Sequence, residues 1–415
     1  MSIHSSIHFF SFCIVLTGFV ACGNDTPSSA SHEGTGGSVS TGGATSLASG
    51  GAGGMRSDAG TATPRREPGA MVSFLGNASY PDDFWTTATA EESQIDATGI
   101  AAALSEIANS RYEIHSLLVA RRGRLVFEYY GWKTGSNGDD PDKSQHQVLP
   151  TEGHLVHSTT KSVTSSLIGI AIDEGLLAGV TDKAAPHFPE YQPFIEPSAD
   201  KDAITIEDLL TMRSGLQYSE GADDEPVFFA TDDPAKVMLS RPVVDTPRGT
   251  VWNYSSGGCD ILTALLRKVT GKVPAEYAKE KLFGPIGVTN VAWQAAGNGT
   301  NFGGWGLSLT PRAMARFGEL YRNNGVWQGK QVVPASWATT ATTAHCSTPW
   351  NGDYGYLFWI PAITGFFGTR GAYGQNIYVN RALELVVVFT SDLPVSSADM
   401  TLDSLVSQYL LPAMK

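Results

Sequence analysis

HLVHSTTKSVTSSLIGIAIDEGLL, residues 154–177, is the stretch around which the rest of the chain can be organised. After Ser158 the apolar residues Val163, Leu167, Ile170 and Ala171 recur at helical spacing, and Gly175 offers a C-terminal cap. This predicts a buried helix with Ser158 at or just before its first turn. Ser158 and Lys161 are three apart and therefore share one helical face. A serine hydroxyl is a weak nucleophile and needs a base within hydrogen-bond reach. A lysine serves as that base only when burial lowers its pKa enough to keep it neutral. Lys161, on the core side of such a helix, is expected to meet that condition. The competing reading is an ordinary helix-capping serine with a solvent-facing lysine.

The S-x-x-K spacing occurs a second time, at Ser198-Ala199-Asp200-Lys201. That copy follows Pro197 in a polar loop, where Lys201 is expected to stay solvated and protonated, so context selects Ser158. In VWNYSSGGCDIL (251–262), Tyr254 precedes Ser255, Ser256 and a glycine pair ahead of an apolar helix. A tyrosine presented from such a turn relays a proton between nucleophile and leaving group if nearby cations favour its phenolate. In RGAYGQ (370–375), two glycines opening a strand let a backbone N–H come close to a ligand, as an oxyanion hole requires.

Working outward, IAAALSEIANS (100–110) carries Ile100, Leu104 and Ile107 at helical spacing. SLLVARRGRLVFEYYGW (116–132) reads as two strands joined by a turn at Arg122-Gly123. GFFGTRGAYGQNIYVN (365–380) and LELVVVFTSD (383–392) give two more strands around Asn380-Arg381, followed by a helix from Ala398 to Leu411. The middle is largely helical and holds a capping-box-like start at Thr205-Ile206-Glu207-Asp208. Strands at both ends of a helical middle predict an α+β fold over residues 71–415, one catalytic domain with an antiparallel sheet closed by its two ends.

The N-terminal segment reads differently. Phe9 to Ala21 is an apolar stretch of 13 residues, too short for a bilayer span of about 20 but suited to a secretory signal. It runs through Val20-Ala21 into Cys22, which resembles a bacterial lipoprotein signal over residues 1–22 with Cys22 lipidated. The absence of Lys or Arg from MSIHSSIH and the Phe19 in place of the usual Leu leave a plain cleaved signal open. Residues 23–70 are rich in Gly, Ser and Thr and cannot bury enough apolar area to order themselves. A tether of that kind fits an exported domain anchored to a membrane through lipid, with the outer membrane favoured by Gly23 and Asn24 after the cysteine.

Taken in order, the three motifs resemble those of the serine β-lactamase and penicillin-binding superfamily. The resemblance is strongest to its class C-like branch, which also holds esterases and 6-aminohexanoate-dimer hydrolases. It covers about residues 85–412 and includes HSTTKSVTSSLIG (157–169), LLTMRSGL (209–216), GGWGLSLTPRAMARFGELYRNNG (303–325) and GAYGQNIYV (371–379). The resemblance implies that Ser158 is acylated, that Lys161 is the base and that Tyr254 shuttles protons. It further implies an oxyanion hole made by the N–H groups of Ser158 and Ala372, with Ser256, Tyr373 and Trp252 on the substrate side.

Two departures bear on substrate. The penicillin-directed Y-x-N is Y-x-S here, with Ser256 in place of Asn, as in the aminohexanoate-dimer hydrolases. The K-T-G lysine that binds a β-lactam carboxylate has no counterpart in 366–376, where Gly371 to Gln375 is similar to the G-x-x-G-Q of the esterase and amide-hydrolase branch. Arg370 is left as a replacement charge of unknown direction. The expected substrate is therefore a small ester or amide. A β-lactamase or peptidoglycan D-peptidase is the alternative among enzymes, and a non-catalytic wall-binding or sensor module is the alternative outside them.

Across 415 residues the chain is 42% hydrophobic and 17% charged, with net charge −13, an acidic balance that argues against nucleic-acid binding. His154 and His157 lack a third ligand, so no metal is expected, and the motifs imply no cofactor. His157 is expected to pack or hydrogen-bond beside the active-site helix. Trp252, Trp305, Trp350 and Trp359 are candidates for an apolar substrate wall. Cys259 and Cys346 allow either a disulfide or two buried thiols, and the oligomeric state is left open.

Overall fold

The computed structural model describes residues 73–74, 85–110, 112–134, 144–194, 198–221, 224–350 and 352–415. The signal-like stretch ending at Cys22 and the linker 23–70 lie outside the described residues. Among these, the main sheet has strands β1 (Ser73–Phe74), β2 (Ile114–Arg121), β3 (Arg124–Tyr130), β4 (Cys346–Ser347) and β5 (Gly352–Tyr354). It continues with β6 (Trp359–Pro361), β7 (Phe366–Thr369), β8 (Asn376–Asn380) and β9 (Leu385–Ser391). The spatial order is β1-β3-β2-β9-β8-β7-β6-β5-β4. The two ends of the domain meet where β2 pairs antiparallel with β9, Leu118 opposite Val388 and Val119 opposite Val387. The Ser116 and Thr390 hydroxyls add a buried bond of 2.6 Å across that pair.

Both central strands are buried along their whole length, with apolar runs at Leu117–Ala120 and Leu385–Phe389, because both faces of the sheet are covered. Leu118, Ala120, Val386 and Val388 face the core that contains helix α2 (Thr159–Asp173) and helix α4 (Pro311–Arg322). Leu117, Val119, Val387 and Phe389 face the core closed by α1 (Ala97–Asn109) and α5 (Ala398–Leu405). α5 runs on into a π-helical turn at Val406–Leu410, close to the expected end of the last helix. The expected hairpin turn falls at Arg122 and Gly123, both at positive φ, and the capping box at Thr205 and Asp208 is formed.

Residues 365–380 differ from the expected single strand and fold as β7 and β8. Tyr373 (φ 63°) and Gly374 (φ 90°) reverse the chain between them. The other S-x-x-K copy also differs. Ser198 does cap the short helix Ala199–Asp202, accepting from the Lys201 N–H, but Lys201 is 2% exposed rather than solvated. The helix folds it inward, which a polar-loop reading of the sequence did not anticipate.

Candidate active site

α2 begins directly after Ser158, and every residue from Thr159 to Ala171 is buried. The helix is therefore central, not one-sided, and its hydroxyls are tied to neighbouring chain. Thr159 Oγ1 meets Thr369 Oγ1 at 2.8 Å and donates to the Gln375 carbonyl at 2.7 Å. Ser162 donates to Leu357 O at 2.6 Å and Thr164 to Gly303 O at 2.9 Å. These bonds fasten the turn after β7 and the 303–305 segment around the start of the helix.

The half-buried Ser158 occupies the N-cap position, but its hydroxyl makes no capping bond. Its Oγ instead accepts from Lys161 Nζ at 3.0 Å, so the capping reading fails. Lys161 is 1% exposed and also donates to Ser256 Oγ and to Gly304 O, each at 2.9 Å. Gly304 has to be glycine, since a Cβ there would lie 2.7 Å from that of Ser256. The Tyr254 ring lies beneath Lys161 Nζ, 4.5 Å from its centroid. Tyr254 immediately precedes helix α3 (Ser256–Thr270), whose N-cap Ser255 accepts from Gly258 N–H at 3.0 Å. One short turn thus presents both Tyr254 and Ser256 to the lysine.

The surroundings of Lys161 favour its charged form, contrary to the expectation from burial. Burial does oppose its charge, but Tyr254 and the Glu220 carboxylate, 4.0 Å away, outweigh it and hold the amine above the ordinary lysine value. Burial likewise pushes the Tyr254 phenol up to about 12 against the pull of Lys161. This balance favours an ammonium beside a neutral phenol over an amine beside a phenolate.

Glu220 was not among the sequence candidates. It accepts from Ser256 Oγ at 2.6 Å through Oε1 and from Ser256 N–H at 3.0 Å through Oε2. It lies 36 positions before Ser256, outside any of the three motifs, and only the fold brings the two together. Ser256, expected on the substrate side, is accordingly committed to Lys161 and Glu220.

The turn at 370–375 closes the other side. A Cβ on Gly371 would lie 2.3 Å from Val156 O, so the turn abuts the chain just before Ser158. The His157 and Tyr373 rings pack 5.2 Å apart, in line with a packing role for His157. Among the described residues, neither the Ser158 nor the Ala372 N–H has a hydrogen-bond acceptor. Arg370 turns away, bonding Asp403 at 2.8 Å and Asp399 at 3.4 Å and lying over the Trp359 ring. Its charge is neutralised there and does not replace the K-T-G lysine.

Trp252, Trp350 and Trp359 pack around Tyr254 at 5.5 to 5.9 Å between ring centroids. Trp305 sits apart from them, against Phe229 and Phe302. Cys259 and Cys346 are free thiols. Among the described residues no group of three His, Cys, Asp or Glu side chains is placed to hold a metal ion.

Comparison with known proteins agrees with this geometry. The sequence profile of the Beta-lactamase family matches residues 105–408. A 6-aminohexanoate-dimer hydrolase of Paenarthrobacter ureafaciens is 25% identical over 304 residues, 67% of this chain and 72% of that protein. A family VIII carboxylesterase superposes with TM-score 0.58 at 17% identity, covering 72% of this chain and 91% of its own. An octameric penicillin-binding protein homologue from Pyrococcus abyssi gives TM-score 0.58 at 18% identity, covering 75% and 77%. By fold, by motif order and by the extent of the profile match, the chain belongs to the Beta-lactamase family of serine hydrolases.

Proposed function

We propose that the protein hydrolyses a small ester or amide through an acyl intermediate on Ser158. The observation that carries this is the contact of Lys161 Nζ with a Ser158 Oγ that caps nothing. Ser158 Oγ attacks the substrate carbonyl carbon and its proton passes to the amine form of Lys161. The resulting oxyanion is held by the Ser158 and Ala372 N–H groups, which makes such donors most effective where charge develops. Tyr254 gives its proton to the leaving oxygen or nitrogen as that bond breaks, and recovers one from Lys161. In the second half, water attacks the acyl carbon, its proton goes to Lys161, and the acid leaves as Ser158 regains its hydrogen.

A carboxylate-bearing β-lactam or D-peptide is the less suited substrate, because Arg370 is already paired with Asp399 and Asp403. Export and lipid anchoring through Cys22 belong to the same proposal, supported by the apolar stretch before Cys22 and the Gly/Ser-rich tether after it. The test is p-nitrophenyl butyrate hydrolysis by wild type beside Ser158→Ala. Turnover by the first and none by the second is expected. Equal rates in both would sink the acyl-serine reading, and nitrocefin cleavage outpacing ester cleavage would overturn the substrate class.

A further inference from the structure

On the acyl-serine reading above, Lys161 must become a base before Ser158 can attack, and its contacts offer a route. A charged lysine has three hydrogens and no lone pair, and here all three have acceptors: Ser158 Oγ, Ser256 Oγ and Gly304 O, with the Tyr254 hydroxyl also bonded to Lys161 and Ser158. It cannot take the Ser158 proton until it loses one of its own. Gly304 O only accepts, and Tyr254 already holds the proton it is to give the leaving group. Ser256 Oγ both accepts and donates, receiving from Lys161 Nζ at 2.9 Å and giving to Glu220 Oε1 at 2.6 Å. The second carboxylate oxygen is held by the Ser256 N–H at 3.0 Å, which fixes the orientation of the group. Nζ and Oε1 are 4.0 Å apart, too far for direct transfer, so the hydroxyl is the bridge.

We propose that Lys161 is converted to a base by passing one proton through Ser256 to Glu220. The Nζ–H bond breaks as Ser256 Oγ gains that hydrogen, and Ser256 hands its own hydrogen to Glu220 Oε1. Ammonium and carboxylate become amine and carboxylic acid, with no change in net charge and no outside base. The two hydrogens left on the amine are those toward Gly304 O and Ser158 Oγ, and its new lone pair faces the hydrogen just given to Ser256. A one-third turn about the Cε–Nζ bond, with the Ser256 hydroxyl swinging its hydrogen away, then points the lone pair at the Ser158 hydroxyl. Glu220 and Ser256 act through Lys161 and are positioning residues. When products leave, the same path runs backward and restores the ion pair.

Substrate binding supplies the drive. The Glu220 side chain is 25% exposed, so water stabilises the ion pair in the empty site. A ligand that displaces this water favours the neutral pair. Other titratable groups around the pair are Tyr218 on the segment of Glu220, Tyr254, Cys259 and Asp260 at and in α3, and Tyr354 on β5. The relay also gives a chemical reason for serine in Y-x-S. A hydroxyl passes a proton on, whereas an asparagine amide at 256 would bind Lys161 without doing so.

The experiment compares wild type, Glu220→Gln and Ser256→Ala over pH 6.5 to 9.5. It measures kcat/KM for p-nitrophenyl butyrate and the rate of Ser158 labelling by a fluorophosphonate, with circular dichroism to verify folding. The wild-type profile is expected to be nearly flat between about pH 7 and 9, because the proton is moved internally. Both variants are expected to fall by about 10²–10³-fold at pH 7 and to climb by up to about tenfold per pH unit, since bulk hydroxide must now deprotonate Lys161. Two outcomes overturn the relay: Glu220→Gln as fast as wild type at pH 7, or slower with an unchanged profile. Two independent variants keep the test decisive if one misfolds. If wild type hydrolyses no ester, the substrate reading fails by itself, and the labelling profile still decides the relay.

Discussion

His157 leads into Ser158 with φ 46°, a left-handed conformation that costs a non-glycine residue about 1–2 kcal/mol. Its ring rests on Tyr373, itself at φ 63°, so two strained residues brace each other beside Ser158 and the Ala372 N–H. Strain kept at such a place indicates that the backbone is held for geometry rather than for stability. In the mechanism proposed above, the chemistry turns on Lys161. Replacing it with Met retains a buried chain of similar length while removing every polar contact it makes. Lys161→Met is expected to lower kcat/KM by about 10³-fold or more, with no acylated Ser158 detectable by mass spectrometry after ester treatment and a melting temperature within a few degrees of wild type. An acyl-enzyme forming at the normal rate would remove the lysine from the mechanism.

At the scale of elements, α2 and α3 meet through buried polar groups as well as apolar ones. The apolar spacing of α2 was legible in the sequence; the burial of its Ser and Thr face was not, because hydroxyls look solvent-facing until their acceptors are known. α3 carries a further consequence at Asp260, whose Oδ1 accepts from Gly303 N–H at 2.7 Å. Burial raises its pKa from 3.8 to about 7, against the pulls of Gly303 N–H and Lys161. A carboxyl raised on folding binds a proton in the native state that the unfolded chain has released. It therefore costs stability as pH rises from about 4 to about 7, by up to about 1.4 kcal/mol per pH unit. Asp260→Asn keeps an oxygen for Gly303 and does not titrate. The melting temperature of this variant relative to wild type is expected to be several degrees higher at pH 8 than at pH 5. A constant difference between the two pH values would show that Asp260 does not carry this dependence.

For the molecule as a whole, β9 comes late in the sequence yet lies between β2 and β8 near the middle of the sheet. Both of its faces are buried, one against α2 and α4 and the other against α1 and α5. A chain ending at residue 382 would lose this strand and α5, splitting the sheet between β2 and β8, leaving each with an unpaired edge and both cores open. Such a chain is expected to show no cooperative thermal unfolding by circular dichroism. A normal melting curve would mean that closure of the sheet by its two ends is not what holds the domain together.

Local pattern was enough to locate the helix after Ser158, the flanking hairpin strands and the order of the three motifs. Each of these depends on residues close together in the chain, namely the apolar spacing after Ser158, the turn at Arg122-Gly123 and the Tyr254-to-Ser256 step into α3. The tertiary structure decided the charges and the partners. Glu220 reaches Ser256 across 36 positions, Arg370 is neutralised by Asp399 and Asp403 from the last helix, and Lys201 turns inward. The protonation of Lys161 follows from the same cause. Burial alone favours the neutral amine, but Tyr254 and the Glu220 carboxylate 4.0 Å away reverse the balance, and they stand beside the amine only once the chain has folded.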